Sequence, residues 1–239
     1  MSFLGRVVAW FLDPAHWQGT NGVPNRLFEH LAMSAAAILV AAAIALPIGI
    51  LLGHYGRGGA IAINVSNIGR AIPSFAILVI AVQVVGIGAK PAFLALVALG
   101  VPPILTNAYV GLREVNKDLR EAAVGLGMTG GQVLRRVELP LAMPLIMGGL
   151  RTSAVQVVAT ATLAAEVAWG GLGRFIIDGI SVRDNVQIFA GALLVAAVAT
   201  ATERGLGVLQ SAVTPHGARI ARKNVRRLED QAPHAELAA

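Results

Sequence analysis

The sequence has no cysteine, which excludes disulfides and thiolate metal sites and leaves the compartment open. Charge is scarce. Asp, Glu, Lys and Arg make up 13% of the residues, against about 25% in an ordinary soluble domain. Aromatic residues are 5% with no obvious cluster, so no aromatic cage for an organic cation can be read. The five histidines show no metal-ligand spacing, and no metal or catalytic residue is expected. No G-x-x-x-x-G-K-[ST] stretch occurs. Gly88-Ala89-Lys90 lacks the earlier glycine and the following Ser or Thr, so no ATP site is expected in this chain. The long apolar runs contain no interior Asp or Glu, the groups a proton-driven carrier would place there.

Apolar sequence is abundant instead. Hydrophobic residues are 56% of 239, with a mean hydropathy of +0.69. The expected fold is an all-α polytopic membrane protein, a bundle of about five transmembrane helices. The spans are read at Leu31 to Gly53, about 60–88, Pro91 to Leu112, Leu141 to Ala165, and Val186 to Thr202. The first is rich in alanine, and small residues let helices approach closely in lipid. The second is broken by Asn64, Asn67, Arg70 and Pro73. Irregular backbone at membrane depth is tolerated only when it is buried in protein or lines a cavity. Glu166 to Asn185 reads as a loop containing Gly170, Gly171 and Gly173, and the chain turns polar from Glu203.

Before the first span, Phe3 to Leu12 is too short to cross a bilayer and has no convincing cleavage site, so no signal peptide is expected. With Trp10 and Trp17, residues 1–26 read as an interfacial segment on the lipid surface. Residues 27–212 form the membrane domain. Residues 213–239 form a basic tail with Arg219, Arg222, Lys223, Arg226 and Arg227, and Asp230 to Ala239 reads as disordered.

The net charge of +6 reflects topology, not nucleic acid. With the amino terminus outside, the inside segments carry two, six and six of the 19 Lys and Arg, leaving five outside. The carboxyl terminus and the polar island from Arg113 to Arg151 then face the cytoplasm of a cell membrane. The island is longer than a connector needs to be, and it is partly apolar. Thr129 and Gln132 match a capping box, predicting a short helix over Gly130 to Val137 that ends before Pro140 and lies crosswise at the membrane face. Val133, Leu134 and Val137 share one face of it, and Gly125 and Gly127 permit a chain reversal before it.

Glu121-Ala122-Ala123, Gly127, Val137 and Leu139-Pro140 stand at the spacing of the EAA motif. The chain thereby resembles permease subunits of ABC importers, with Val137 where the usual residue is Ile. The resemblance runs from about residue 27 to 210. It implies a type I ABC importer permease fold whose cytoplasmic coupling helix, in loop 113–142, docks on an ATP-binding subunit. The implied coupling residues are Glu121, Ala122, Ala123, Gly127, Val133, Leu134, Val137, Leu139 and Pro140. Ala71-Ile-Pro-Ser-Phe75, Val101-Pro-Pro-Ile-Leu105, Val137-Glu-Leu-Pro-Leu-Ala142, Ala161-Thr-Leu-Ala-Ala165 and Gly170-Gly-Leu-Gly173 are most similar to permeases for glycine betaine, choline, carnitine and other osmoprotectants.

The resemblance implies separate ATPase subunits holding ATP and Mg, a second permease subunit and an external substrate-binding protein. Asn67, Pro73, Gln83, Asn107, Gln156 and Thr160 are candidates to line the path. Alternatively they bond between helices, worth about 0.6 kcal/mol each. Glu166 is read either as a contact for a partner or as a solvated helix end. Other cargo, such as an amino acid, and a self-contained channel or secondary transporter are the alternatives.

Overall fold

The computed structural model describes residues 1–213, which are helices, turns and loops with no strand among them. The basic tail and the segment read as disordered lie outside the described residues. The helices are α1 (Phe3–Leu12), α2 (Val23–Tyr55), α3 (Gly59–Ala71), α4 (Ser74–Val85), α5 (Ala89–Arg113), α6 (Lys117–Gly125), α7 (Gly130–Val133), α8 (Leu139–Thr160), α9 (Gly173–Val182) and α10 (Asn185–Val213). Among the described residues four helical stretches are long and apolar enough to cross a membrane, or five if the bent pair α3–α4 is one span.

The spans assemble around α5, which packs most extensively on α2 and α8 and also on α3 and α4. The sequence dictates the first contact. Met33, Ala37, Ala41, Ala45, Gly49 and Gly53 recur every four residues along one side of α2, and all six are buried. A Cβ at Gly49 would lie 2.8 Å from the Ala108 Cβ, and one at Gly53 would lie 2.6 Å from the Leu112 Cβ. The two backbones therefore meet at a distance only small residues allow. On the other side of α5, the buried Ser153 hydroxyl of α8 donates to the Gly100 carbonyl at 2.9 Å.

The expected break in the second span is present. The helical parts Ala62–Gly69 and Ser74–Val85 meet at 89°, with Ile72 and Pro73 between α3 and α4 in extended backbone. Proline has no N–H to continue a helix and disfavours helical backbone in the residue before it.

Four expectations are corrected. The stretch read as a loop after Glu166 contains α9, whose inner face buries Phe175 and Gly179. The fifth span does not end at Thr202 but continues through Glu203 to Val213. Trp10 is not an interface anchor. It is 6% exposed and stands edge-on to Phe175 with ring centroids 5.5 Å apart, seating α1 against the bundle. Trp17 is the exposed member of the pair and donates to the Phe11 carbonyl at 2.8 Å.

The fourth correction concerns the island. No separate helix ends before Pro140. α7 passes into a π-helical segment, Leu134–Glu138, and then directly into α8. The Leu139 N–H bonds back to the Leu134 carbonyl, five residues earlier. This wider turn accommodates the proline, whose ring would crowd the carbonyl four residues before it. The detached short helix of the island is α6, which carries Glu121-Ala122-Ala123.

Candidate functional site: the island and its anchors

Helix α6 is built by local rules. Asn116 caps it by accepting from the Asp118 N–H at 2.7 Å, and Asp118 sits in the first turn, where negative charge is favoured. It ends in a paired closure in which the Gly127 N–H bonds the Val124 carbonyl at 2.9 Å and the Met128 N–H bonds the Ala123 carbonyl at 3.1 Å. Such an ending needs a left-handed residue, and Gly127 has φ +80°. The chain then reverses into α7. There Gln132 Oε1 accepts from the Thr129 N–H at 2.8 Å, one half of the anticipated capping box.

The named residues divide by direction. Glu121, Ala122 and Gly127 are exposed, while Ala123 and Val133 are buried. Leu134 and Leu139 pack on the cluster of Ala108, Leu112, Val115, Ala142 and Ile146. Val137 and Pro140 are half-buried where the π segment joins α8. Val133 is buried and Leu134 and Leu139 are half-buried, so these three hold the loop to its own bundle. The outward apolar surface consists of Leu119, Val124 and Leu126, which are 49%, 61% and 81% exposed. Glu121 meets Lys117 at 3.4 Å in a surface pair, which is too weak to hold it.

A buried charge cluster fixes α6 in place, and sequence reasoning missed it. Glu138 is 2% exposed. One of its oxygens accepts from His54 Nδ1 at 2.5 Å, at the end of α2. The other pairs with Arg120 Nε of α6 at 3.1 Å. Arg120 also donates through Nη2 to the Leu112 carbonyl at the end of α5. One carboxylate thus ties α6 to α2 and α8, and Arg120 ties it to α5. The available signal was an isolated acid entering an apolar span, since a buried charge requires a partner.

The path candidates are spread across the bundle. Asn67, Pro73 and Gln83 lie on the exposed side of α3 and α4. Thr160 borders a narrow cleft with Ser74, Leu78 and Leu96, which brings it beside the break at Pro73. Asn107 donates to the carbonyl of Pro103 at 2.8 Å, a bond within its own helix. Gln156 is half-buried on α8. At the opposite end of the bundle, Glu29 accepts from Arg26 and from the Gly171 N–H, both at 2.8 Å. Gly171 has φ +83°, so the expected glycine turn is real and is clamped to α2. Glu166 is exposed.

This architecture, a bundle of four to five apolar spans with a helix-bearing loop before α8, is that of the transport permeases. Residues 45–214 match the family described as "Binding-protein-dependent transport system inner membrane component", and the chain belongs to it. It is 38% identical over 200 residues to the choline transport system permease protein OpuBB of Bacillus subtilis (strain 168), covering 83% of this chain and 92% of that one. It is 40% identical over 189 residues to the glycine betaine/carnitine/choline permease OpuCB of the same organism, covering 79% and 87%. The osmoprotectant import permease OsmW of Salmonella typhimurium is 33% identical over 215 residues, covering 87% and 100%. Among solved structures, an inward-facing MetNI methionine ABC transporter superposes with a TM-score of 0.72 at 25% identity, covering 85% of this chain and 99% of that one. The chain is the transmembrane permease subunit of an ABC importer, a translocation component rather than an enzyme. Permeases of this family operate with ATPase and substrate-binding partners.

Proposed function

We propose that this permease takes up small osmoprotectants (glycine betaine, choline or carnitine) and that α6 is where a separate ATPase drives it. The observation that supports this most is the build of α6. Its exposed side carries Glu121 and Ala122 beside Leu119, Val124 and Leu126, while Arg120 pins its other side through the buried Glu138. A short helix so held transmits a push to α2, α5 and α8 instead of yielding to it. ATP and Mg belong to the partner. The cargo follows the relatives named for osmoprotectants, which at 33–40% identity lie nearer than the methionine transporter at 25%.

In this reading the amino terminus is outside and α6 faces the cytoplasm, which the distribution of Lys and Arg favours. A second permease subunit, of the same or a related chain, covers the irregular backbone at Pro73 and the exposed Gln83, since such groups do not face lipid. An external binding protein selects the solute, consistent with the scarcity of aromatic residues here.

The test is reconstitution with the ATPase and binding protein in liposomes. ATP-dependent uptake of glycine betaine, choline or carnitine is expected, along with a cross-link from Leu126→Cys to the ATPase. Uptake of methionine but of none of these three would overturn the cargo. Absence of a cross-link while transport proceeds would overturn the role of α6.

A further inference from the structure

Arg151 and Glu203 form an ion pair between α8 and α10, Nε to Oε1 at 3.0 Å. Arg151 Nη1 also donates to Gln210 Oε1 at 2.9 Å, and Gln210 Nε2 donates to the Pro144 carbonyl at 2.8 Å. The two helices bracket the depth of the pair. Counted from Leu139 at the island end of α8, Arg151 lies about 18 Å along the helix at about 1.5 Å per residue. Counted from Asn185 at the far end of α10, Glu203 lies about 27 Å along. Exposed apolar residues Val208, Leu209 and Val213 follow Glu203, so the span continues beyond it. Against a hydrocarbon core of about 30 Å, the first count sets the pair at most about 18 Å from the island-side face and the second at least about 3 Å from it.

Despite that depth, the two side chains are 38% and 44% exposed. A charge pair left half-open to hydrocarbon is costly, and charged groups at such depth face a bundle interior or water. The interior side of α8 is already occupied, since Ser153, Ala154 and Val157 are the buried residues of this stretch. Arg204, next to Glu203, is exposed and long enough to reach the headgroups. Glu203 has no such reach and is held by Arg151.

We propose that the Arg151–Glu203 pair lines the translocation path and meets a passing zwitterion there, Glu203 facing its ammonium and Arg151 its carboxylate. A guanidinium matches a carboxylate in a two-point fork. A quaternary ammonium has no N–H, so it contacts Glu203 by charge alone. The zwitterion rests on the uptake reading above, whereas the position of the pair in water does not.

The absence of cysteine makes the position directly testable. A Cβ at Gly207 would lie 3.6 Å from Arg151 Nη1 with no closer obstruction, and a side chain at Val208 points about 100° away. In inside-out vesicles bearing the assembled transporter, Gly207→Cys is expected to react with a membrane-impermeant thiosulfonate at least about tenfold faster than Val208→Cys, the modification being read on this chain by mass. Equal rates, or labelling of Gly207→Cys only by a membrane-permeant maleimide, place the pair against lipid and overturn the proposal. For the ligand, Arg151→Gln is expected to lower the saturated uptake rate of glycine betaine about tenfold and that of choline, which has no carboxylate, less than about twofold. Equal losses for both solutes overturn the assignment of Arg151 to the carboxylate. If the native transporter carries neither solute, the uptake reading fails, and the labelling arm still decides where the pair lies.

Discussion

Gly127 shows how a motif position acquires its identity from backbone geometry. Its φ of +80° places it in the left-handed region, and no atom lies within 4 Å of where a Cβ would stand. The requirement is therefore conformational, not steric. An ordinary side chain in that region costs about 1–2 kcal/mol, and Asn pays less. Gly127→Val is expected to lower the unfolding free energy by about 1–2 kcal/mol and Gly127→Asn by a smaller amount, measured by thermal unfolding of the purified protein in detergent. Equal losses in the two would mean that the residue, not its φ, is what matters. The spacing of Glu121, Ala122, Ala123 and Gly127 was legible in sequence because it is set by one helix and its closure, both local. The partnership of Glu138 with His54, 84 positions away, was not.

At the scale of elements, the two readings that depended on backbone chemistry fared differently. Pro73 broke its span as expected, because extended backbone could be accommodated between α3 and α4. Pro140 did not end its helix, because a π turn absorbed it at Leu134–Glu138 and let α7 continue into α8. That choice depends on what the continuous helix gains: Leu134 and Leu139 reach the α5 cluster, and Glu138 reaches Arg120 and His54. Removing one partner of a buried ion pair costs about 3–5 kcal/mol, because the other charge is left unpaired. Glu138→Ala is therefore expected to lower the midpoint of thermal unfolding by roughly ten degrees, at about 2–4 °C per kcal/mol for a chain of this size. Glu138→Ala combined with Arg120→Ala should recover part of the loss. A double variant no more stable than the single one would mean that Arg120 is not the group Glu138 serves.

For the whole molecule, α6 is the one short helix of the island held by α2, α5 and α8 together, through Arg120 and Glu138. A change on its exposed side should therefore alter coupling without altering the fold. Glu121 is 65% exposed at its side chain, with Lys117 as its surface partner, so Glu121→Lys is expected to leave expression and membrane insertion intact. It should reduce ATP-driven uptake by at least about tenfold, a cost of about 1.4 kcal/mol or more in coupling free energy. Wild-type uptake by the variant in the reconstituted complex would remove Glu121 from the transmission point.

The membrane class, the small-residue stripe on α2 and the EAA spacing were determined by the sequence alone. Each is a matter of composition, period or local backbone, which a linear chain carries in full. Tertiary structure decided which helix of the island stands free, that Trp10 packs inside, that α9 folds within the stretch before α10, and that Arg151 meets Glu203 across two spans. The physical reason is that a charge or a proline has several ways to be satisfied locally. The choice among them is made by partners that only the folded bundle brings within 3 Å.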